Sequence, residues 1–352
     1  MNPFCLLKDP QAYRSEDWDL LQDAADREYW LSHFQQGFTE AMQMAARQYG
    51  AKAAKRIAAA TEKFSGILQK LRQDPASLPG GKLSVLELDR LRERILAEHA
   101  LHDPYADVKR RANESAMELY AQIVRRLHIM PDGAKWLHLI RGVFAGNLYD
   151  LGSASQMELS RDPEDFLAAE EQTKPRPWLI DHLDLLAEDL RSVTPPKWGK
   201  AIVFVDNAGP DFILGLMPLM RELSLYGLKV VLAANEAPAL NDMTVDETID
   251  VVQRLAGTDE DLAALIQAGM FEVVSTGGRI PLLDLSDVSE DLNDAAKDAD
   301  LVILEGMGRA VETNFNASFK TDSLHLALLK NPRIAARIGG QMYDCICKYT
   351  RA

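Results

Sequence analysis

The sequence has 352 residues, a formal net charge of −14 and 47% hydrophobic residues. That length predicts two domains or one domain with a large extension, and the apolar fraction suffices for a full core. The negative charge argues against a nucleic-acid partner, and no window reaches the ~20 apolar residues that a membrane-spanning helix needs. The start, "MNPFCLLKDP", carries no signal peptide, and Cys5, Cys345 and Cys347 fit a reducing compartment. A cytoplasmic protein is expected. The C-x-C spacing of Cys345 and Cys347 is poor for structural zinc and would place both thiols on one face of a strand.

In chain order, residues 1–190 read as an all-helical N-terminal domain. Trp18, Leu21, Ala25 and Tyr29 recur at helical steps, Ser84 with Glu87 suggests a capping box, and Ala112, Ala116, Leu119, Ile123 and Leu127 share one face. The two prolines of "RSVTPPKWGKA" break the pattern. From 198 to 352 strands alternate with helices: "AIVFV", a helix from Asp211 to Gly227 kinked at Pro218, "KVVLAA", a helix boxed by Thr244 and Glu247 and closed at Gly257, "FEVVST", "DLVILEG" and "QMYDCICKYT". This alternation predicts an α/β fold, a mainly parallel, doubly wound (Rossmann-like) sheet with helices on both faces.

Ligands of such sheets bind beyond the carboxyl ends of the strands. "DNAGPD", "NEAPALNDMT" and "EGMGRAVETN" fall at that edge. Asp206, Asn207 and Asp242 are hard oxygen donors suited to Mg²⁺ or Mn²⁺, which would also attract a phosphate that an acidic chain repels. Gly306 and Gly308 let backbone N–H groups approach a ligand. Taken singly, each segment also reads as an ordinary turn, with Asp211 as a helix cap. Zinc-protease, P-loop and serine-elbow patterns are absent from the sequence.

The segments "FVDNAGPD", "APALNDMT" and "ILEGMGRAVETN" resemble those of the metal-dependent damage-control phosphatases, also known as Domain of Unknown Function 89. "DPYADVKRRANE", "AGNLYDLGS" and "DSLHLALLKNPRIAARIGG" extend the resemblance from about residue 100 to the end. It is nearest to the branch of plant stand-alone enzymes and the phosphatase domain fused to a vertebrate pantothenate kinase-like protein. The resemblance implies hydrolysis of a small phosphorylated metabolite, 4′-phosphopantetheine or a damaged form first. It implies a divalent metal (Mn²⁺ or Mg²⁺, with Co²⁺ or Ni²⁺ as alternatives) on Asp206, Asn207 and Asp242, which are also the catalytic residues. Asn147, Asp150, Glu305, Gly306, Met307, Gly308, Arg309, Asn314 and Lys330 are implied around substrate and phosphate, Lys330 reading equally well as a helix-surface residue. Asn147 and Asp150 would reach the site on a loop bracketed by Gly146 and Gly152, forming one wall of the pocket. After "STG" the chain reads "GRIPLLDLSDVS" where the branch is more serine-rich, which bears on substrate identity.

Two nucleophiles stay open: a water activated on the metal, or Asp206 itself. Three alternatives are a sugar-phosphate phosphatase of the same family, a haloacid-dehalogenase-like phosphatase and a non-catalytic metabolite-binding protein. The haloacid-dehalogenase D-x-D pattern is broken by Ala208.

Overall fold

The computed structural model describes residues 2–149, 163–190 and 197–352. The helical first half contains α1 (Ala24–Tyr49), α2 (Ala54–Gln73), α3 (Val85–Glu98), α4 (Ala106–His128), α5 (Asp132–Tyr149) and α6 (Pro163–Gln172). A two-residue strand β1 (Ile180–Asp181) and α7 (Leu183–Leu190) follow. The second half runs β2 (Lys200–Phe204), α8 (Met217–Leu225), β3 (Lys229–Ala234), α9 (Val245–Ala256), α10 (Glu260–Gln267) and β4 (Phe271–Ser275). It closes with α11 (Glu290–Ala296), β5 (Leu301–Glu305), β6 (Asp322–Leu328), α12 (Pro332–Arg337) and β7 (Cys345–Thr350).

Local chemistry sets the boundaries. The Asp23 carboxylate accepts from the N–H groups of Ala25 and Asp26, so α1 starts at Ala24 and not at Trp18, where side-chain spacing alone placed it. Thr244 and Glu247 form the expected reciprocal capping box of α9. Ser84 caps α3 by accepting from the Glu87 N–H, while the Glu87 side chain pairs with Arg90. The expected helix from Asp211 is continuous but begins as a π-helical turn over Asp211–Leu216, which passes through helical Leu216 and Met217 into α8, with Pro218 just after the change of pitch.

The sheet order is β1-β7-β6-β5-β2-β3-β4, parallel throughout except for β6 against β7. Strand alternation divides the core. Ile202, Phe204, Val231, Val302 and Ile346 face a cluster containing residues of α1, α2, α3, α11 and α12. Val203, Val205, Leu232, Ile303, Cys345 and Cys347 face the opposite cluster, with α4, α5, α8 and α9. The two C-x-C thiols thus share one buried face. Helices from both sides of residue 190 pack on the same sheet, so each core is built jointly by the two halves.

Strand β6 was not predicted as a strand. Asp322, Ser323 and His325 interrupt its apolar run, yet every residue of it is buried. The chain winds from β2 outward to β3 and β4, then returns to β5 on the other side of β2. The β2/β5 boundary is therefore the switch point, and its carboxyl end is where a crevice must open.

Candidate active site

At that crevice β2 ends in Asp206 and Asn207. A short antiparallel pairing of Asn207 with Asp242 fixes the loop after β3 against it: the Met243 N–H donates to the Asp206 carbonyl at 2.9 Å, and the Ala208 N–H to the Asn241 carbonyl at 2.9 Å. The conformation of "DNAGPD" is held from the helical half. Gly209 has φ +82°, its N–H donates to Asn113 Oδ1 at 2.6 Å, and a Cβ there would lie 2.8 Å from the Ala112 side chain. Fully buried Lys109 bonds Asp103 at 3.1 Å and Glu247 at 2.8 Å, tying α4 to the start of α9. This is what "DPYADVKRRANE" does: it clamps the strand-end loops.

Asp206, Asp211 and Glu305 are all buried, and each offers an oxygen within 4.8 Å of the others. The Asn207 amide donates to Asp206 Oδ2 (2.7 Å) and Asp211 Oδ2 (3.0 Å). Asn147 donates to Asp211 Oδ1 at 2.5 Å and also to Glu305 Oε1. Glu305 Oε2 and Asn147 Oδ1 remain buried with no hydrogen-bond partner. Burial, then repulsion from Asp211, holds the Glu305 carboxyl well above the usual range. Three crowded carboxyls, with Glu305 Oε2 and the Asn147 amide oxygen left unsatisfied among them, fit a cation, and this buried acidic triad can hold a metal ion.

Asp242 lies on the other side of Asp206. The Arg309 guanidinium joins them, bonding Asp206 Oδ1 and, at 2.7 Å, Asp242 Oδ2, while Asn235 donates to the same Asp242 oxygen at 3.0 Å. Burial lowers the Arg309 pKa to about 9, so it remains charged at neutral pH. Arg309 belongs to a second π-helical turn, Gly308–Glu312, directly after β5. Gly306 between them has φ +89°, and its missing side chain makes room for the Asp206 carboxylate: a Cβ would lie 2.1 Å from Oδ2.

The crevice opens as a cleft of about 470 Å³. Asp206, Asn207, Asp242, Met307, Gly308 and Lys330 line it on the sheet side. The opposite wall comes from α1 and α3, through residues such as Trp30, Phe34, Asp89 and Arg92. The helical half therefore does face the sheet edge, but through helices given no such role in the sequence reading.

The remaining expected residues fall elsewhere. Asn147 is on the last turn of α5 and not on a loop. Gly146 serves close packing, since a Cβ there would meet the Asp211 Cα at 2.8 Å. Asn147 approaches the carboxylates from behind the cleft; Asp150 and Gly152 lie outside the described residues. Asn314 is fully buried and its amide is occupied by protein: Tyr13 donates to its Oδ1 at 2.7 Å, and it donates to the Leu283 and Arg309 carbonyls. It braces the Arg309 turn without lining the cleft. Asp211, read as a helix cap, instead joins the carboxylate cluster. Asn235 was missed because a lone asparagine after a strand reads as a turn residue; the polar end of β3 was the available signal.

Residues 28–346 match the damage-control phosphatase ARMT1-like domain. A damage-control phosphatase of Arabidopsis thaliana is 42% identical over 82% of this chain and 78% of its own length. The 4′-phosphopantetheine phosphatase of Mus musculus is 32% identical over 98% of this chain, and pantothenate kinase 2 of Arabidopsis thaliana 37% identical over 98%. The chain spans less than half of these last two proteins, 48% and 41% respectively. A crystal structure of a DUF89 family protein from Pyrococcus horikoshii superposes with a TM-score of 0.65, covering 91% of this chain and 96% of that one at 20% identity, a likeness of fold. The family match and these relatives thus define an α/β phosphatase. The chain belongs to the damage-control phosphatase family, and the match begins well before the segments that first suggested it. Among the described residues, no helix is long and apolar enough to cross a membrane.

Proposed function

We propose that this phosphatase hydrolyses 4′-phosphopantetheine or a damaged form of it, with a divalent oxygen-seeking cation, Mn²⁺ or Mg²⁺, at Asp206. The observation that carries this reading is the placement of Asp206, Asn207 and Asp242 together on the cleft, with Asp211 and Glu305 adding negative charge behind them. Asn207 and Asp242 are the partners of Asp206 on the cleft side. The cation supplies charge neutralisation for the transferring phosphoryl group. Asp206 is oriented by Asn207 and Arg309, one at each carboxylate oxygen, which favours water over Asp206 as nucleophile. Arg309 and Lys330 bring positive charge to the phosphate end of the cleft, and Gly308 leaves its backbone open to it.

The substrate choice draws on the names of the mouse and plant relatives. Pro281 and Leu282 of the serine-poor loop line the cleft, so that segment bears on the choice. Phosphate release from 4′-phosphopantetheine and a panel of sugar phosphates, with Mn²⁺, tests it. The pantetheine ester is expected to have the highest kcat/KM; a sugar phosphate exceeding it tenfold overturns the substrate and leaves a sugar-phosphate phosphatase.

A further inference from the structure

Glu312 takes no part in the carboxylate cluster. It ends the turn that carries Arg309, lines the cleft near the α1–α3 wall and is 8% exposed, and its Oε1 is buried without a hydrogen-bond partner. The neighbouring cation already has carboxylate partners, although its Nη2 makes no hydrogen bond. Arg92 pairs with Asp89 at 2.7 Å and with Glu93 at 2.7 Å, and its guanidinium lies over the Phe34 ring. Burial, then repulsion from Asp89 and from Asp17 of the N-terminal segment, pushes Glu312 up to about 8, with Arg337 of α12 opposing. From α1, Tyr29 feels the Glu312 charge and His33 and Glu40 line the same cleft, and Asp89 is itself pushed up to about 7. At neutral pH Glu312 is mainly the neutral acid, which offers one O–H donor and one acceptor oxygen.

A cleft of about 470 Å³ exceeds what a phosphoryl group at Asp206 fills and is in the range of sites that enclose a whole small molecule. The wall around Glu312 combines the apolar surfaces of Trp30, Phe34 and Val85 with the Glu312 carboxyl and with the Trp30 indole N–H, which is also buried without a hydrogen-bond partner. We infer that the Glu312 end of the cleft is the subsite for the organic part of the substrate, and that it recognises an uncharged carboxamide. Oε1 is buried in the free protein, so the Glu312 carboxyl turns about its terminal torsion into the cleft, where the carboxamide N–H donates to one oxygen and its carbonyl accepts from the other. A carboxyl and a carboxamide satisfy each other at two points, and a buried group left unpaired in the free enzyme gains most from such a partner. The inference rests on the proposed reading that phosphate sits at the Asp206 end.

The test compares kcat/KM for 4′-phosphopantetheine, whose tail carries carboxamides, with that for p-nitrophenyl phosphate, whose tail has none. Wild type, Glu312→Leu and Glu312→Gln are measured from pH 6 to 9. The ratio of the two kcat/KM values should fall at least tenfold in Glu312→Leu, through KM. In wild type the ratio should also fall as pH rises past about 8. Glu312→Gln keeps a donor and an acceptor but does not titrate, so its ratio should stay within threefold of wild type and lose that pH dependence. An unchanged ratio in Glu312→Leu overturns the inference. If that variant does not fold, an unaltered pH dependence in Glu312→Gln overturns it instead. If wild type hydrolyses neither ester, the phosphatase reading fails, and calorimetric binding of pantetheine to wild type and Glu312→Gln across the same pH range decides the subsite: loss of binding above about pH 8 in wild type alone supports it, and equal behaviour overturns it.

Discussion

Replacing Gly306 by alanine should damage the site far more than one methyl group suggests. The added Cβ would lie 2.1 Å from Asp206 Oδ2 and 2.3 Å from its Cγ, while φ is +89°. The backbone conformation alone costs about 1–2 kcal/mol for a residue with a side chain. Asp206 has nowhere to retreat without loosening its bonds to Asn207 and Arg309, and hydrogen bonds involving a charged group are worth about 1.5–3 kcal/mol each. A displaced carboxylate should therefore lower Mn²⁺ affinity by at least about 100-fold, close to 2.7 kcal/mol. Calorimetric titration of the metal-stripped protein measures this, with a melting curve to confirm the fold. Gly308→Ala is the control, since its new Cβ meets the end of the flexible Leu282 side chain at 3.1 Å and the Pro281 carbonyl oxygen at an ordinary 3.4 Å, and metal affinity should stay within threefold. A folded Gly306→Ala protein with wild-type Mn²⁺ affinity would refute the assignment of Asp206 as the central ligand.

Two further predictions concern buried polar groups. Asn147→Ala removes the amide between Asp211 and Glu305 and should lower kcat at least tenfold, about 1.4 kcal/mol; turnover within twofold of wild type would remove Asn147 from the active machinery. His325 is neutral in the fold, its pKa pulled down to about 3 by burial and then by Lys348, whereas the unfolded value is about 6.5. The unfolded chain takes up the proton first, so stability is full above pH ~6.5 and declines as pH falls toward 3, by up to about 1.4 kcal/mol per unit. Denaturant unfolding from pH 7 to 4 should show a shallower decline in His325→Gln, which keeps a donor for the Asn314 carbonyl; parallel curves would contradict this.

The parallel sheet was legible because its central strands are apolar runs ending in polar residues, and because the α9 capping box and Gly257 punctuate the chain. Asp206, Asn207 and Asp242 could be placed on one edge for the same reason: each ends a strand excursion. Three features were hidden. β6 carries Asp322 and His325 inside the protein, where partners at long sequence separation satisfy them: Trp198 and Tyr349 bond Asp322, and the Asn314 carbonyl bonds His325. Asp211 has the local context of a cap, and only the π-helical turn rotates its carboxylate toward Asn147. The cleft wall of α1 and α3 reads as ordinary amphipathic helix, since Trp30 and Phe34 have core spacing and nothing local reveals that a cleft lies beside them.

The central claim is metal-dependent phosphoester hydrolysis at Asp206. The most direct measurement is p-nitrophenol release from p-nitrophenyl phosphate by metal-stripped protein titrated with Mn²⁺, wild type beside Asp206→Ala. Wild type should be inactive in EDTA and regain saturable activity with Mn²⁺, while a folded Asp206→Ala stays inactive throughout. Equal wild-type rates in EDTA and in Mn²⁺, or a fully active Asp206→Ala protein, would contradict the account.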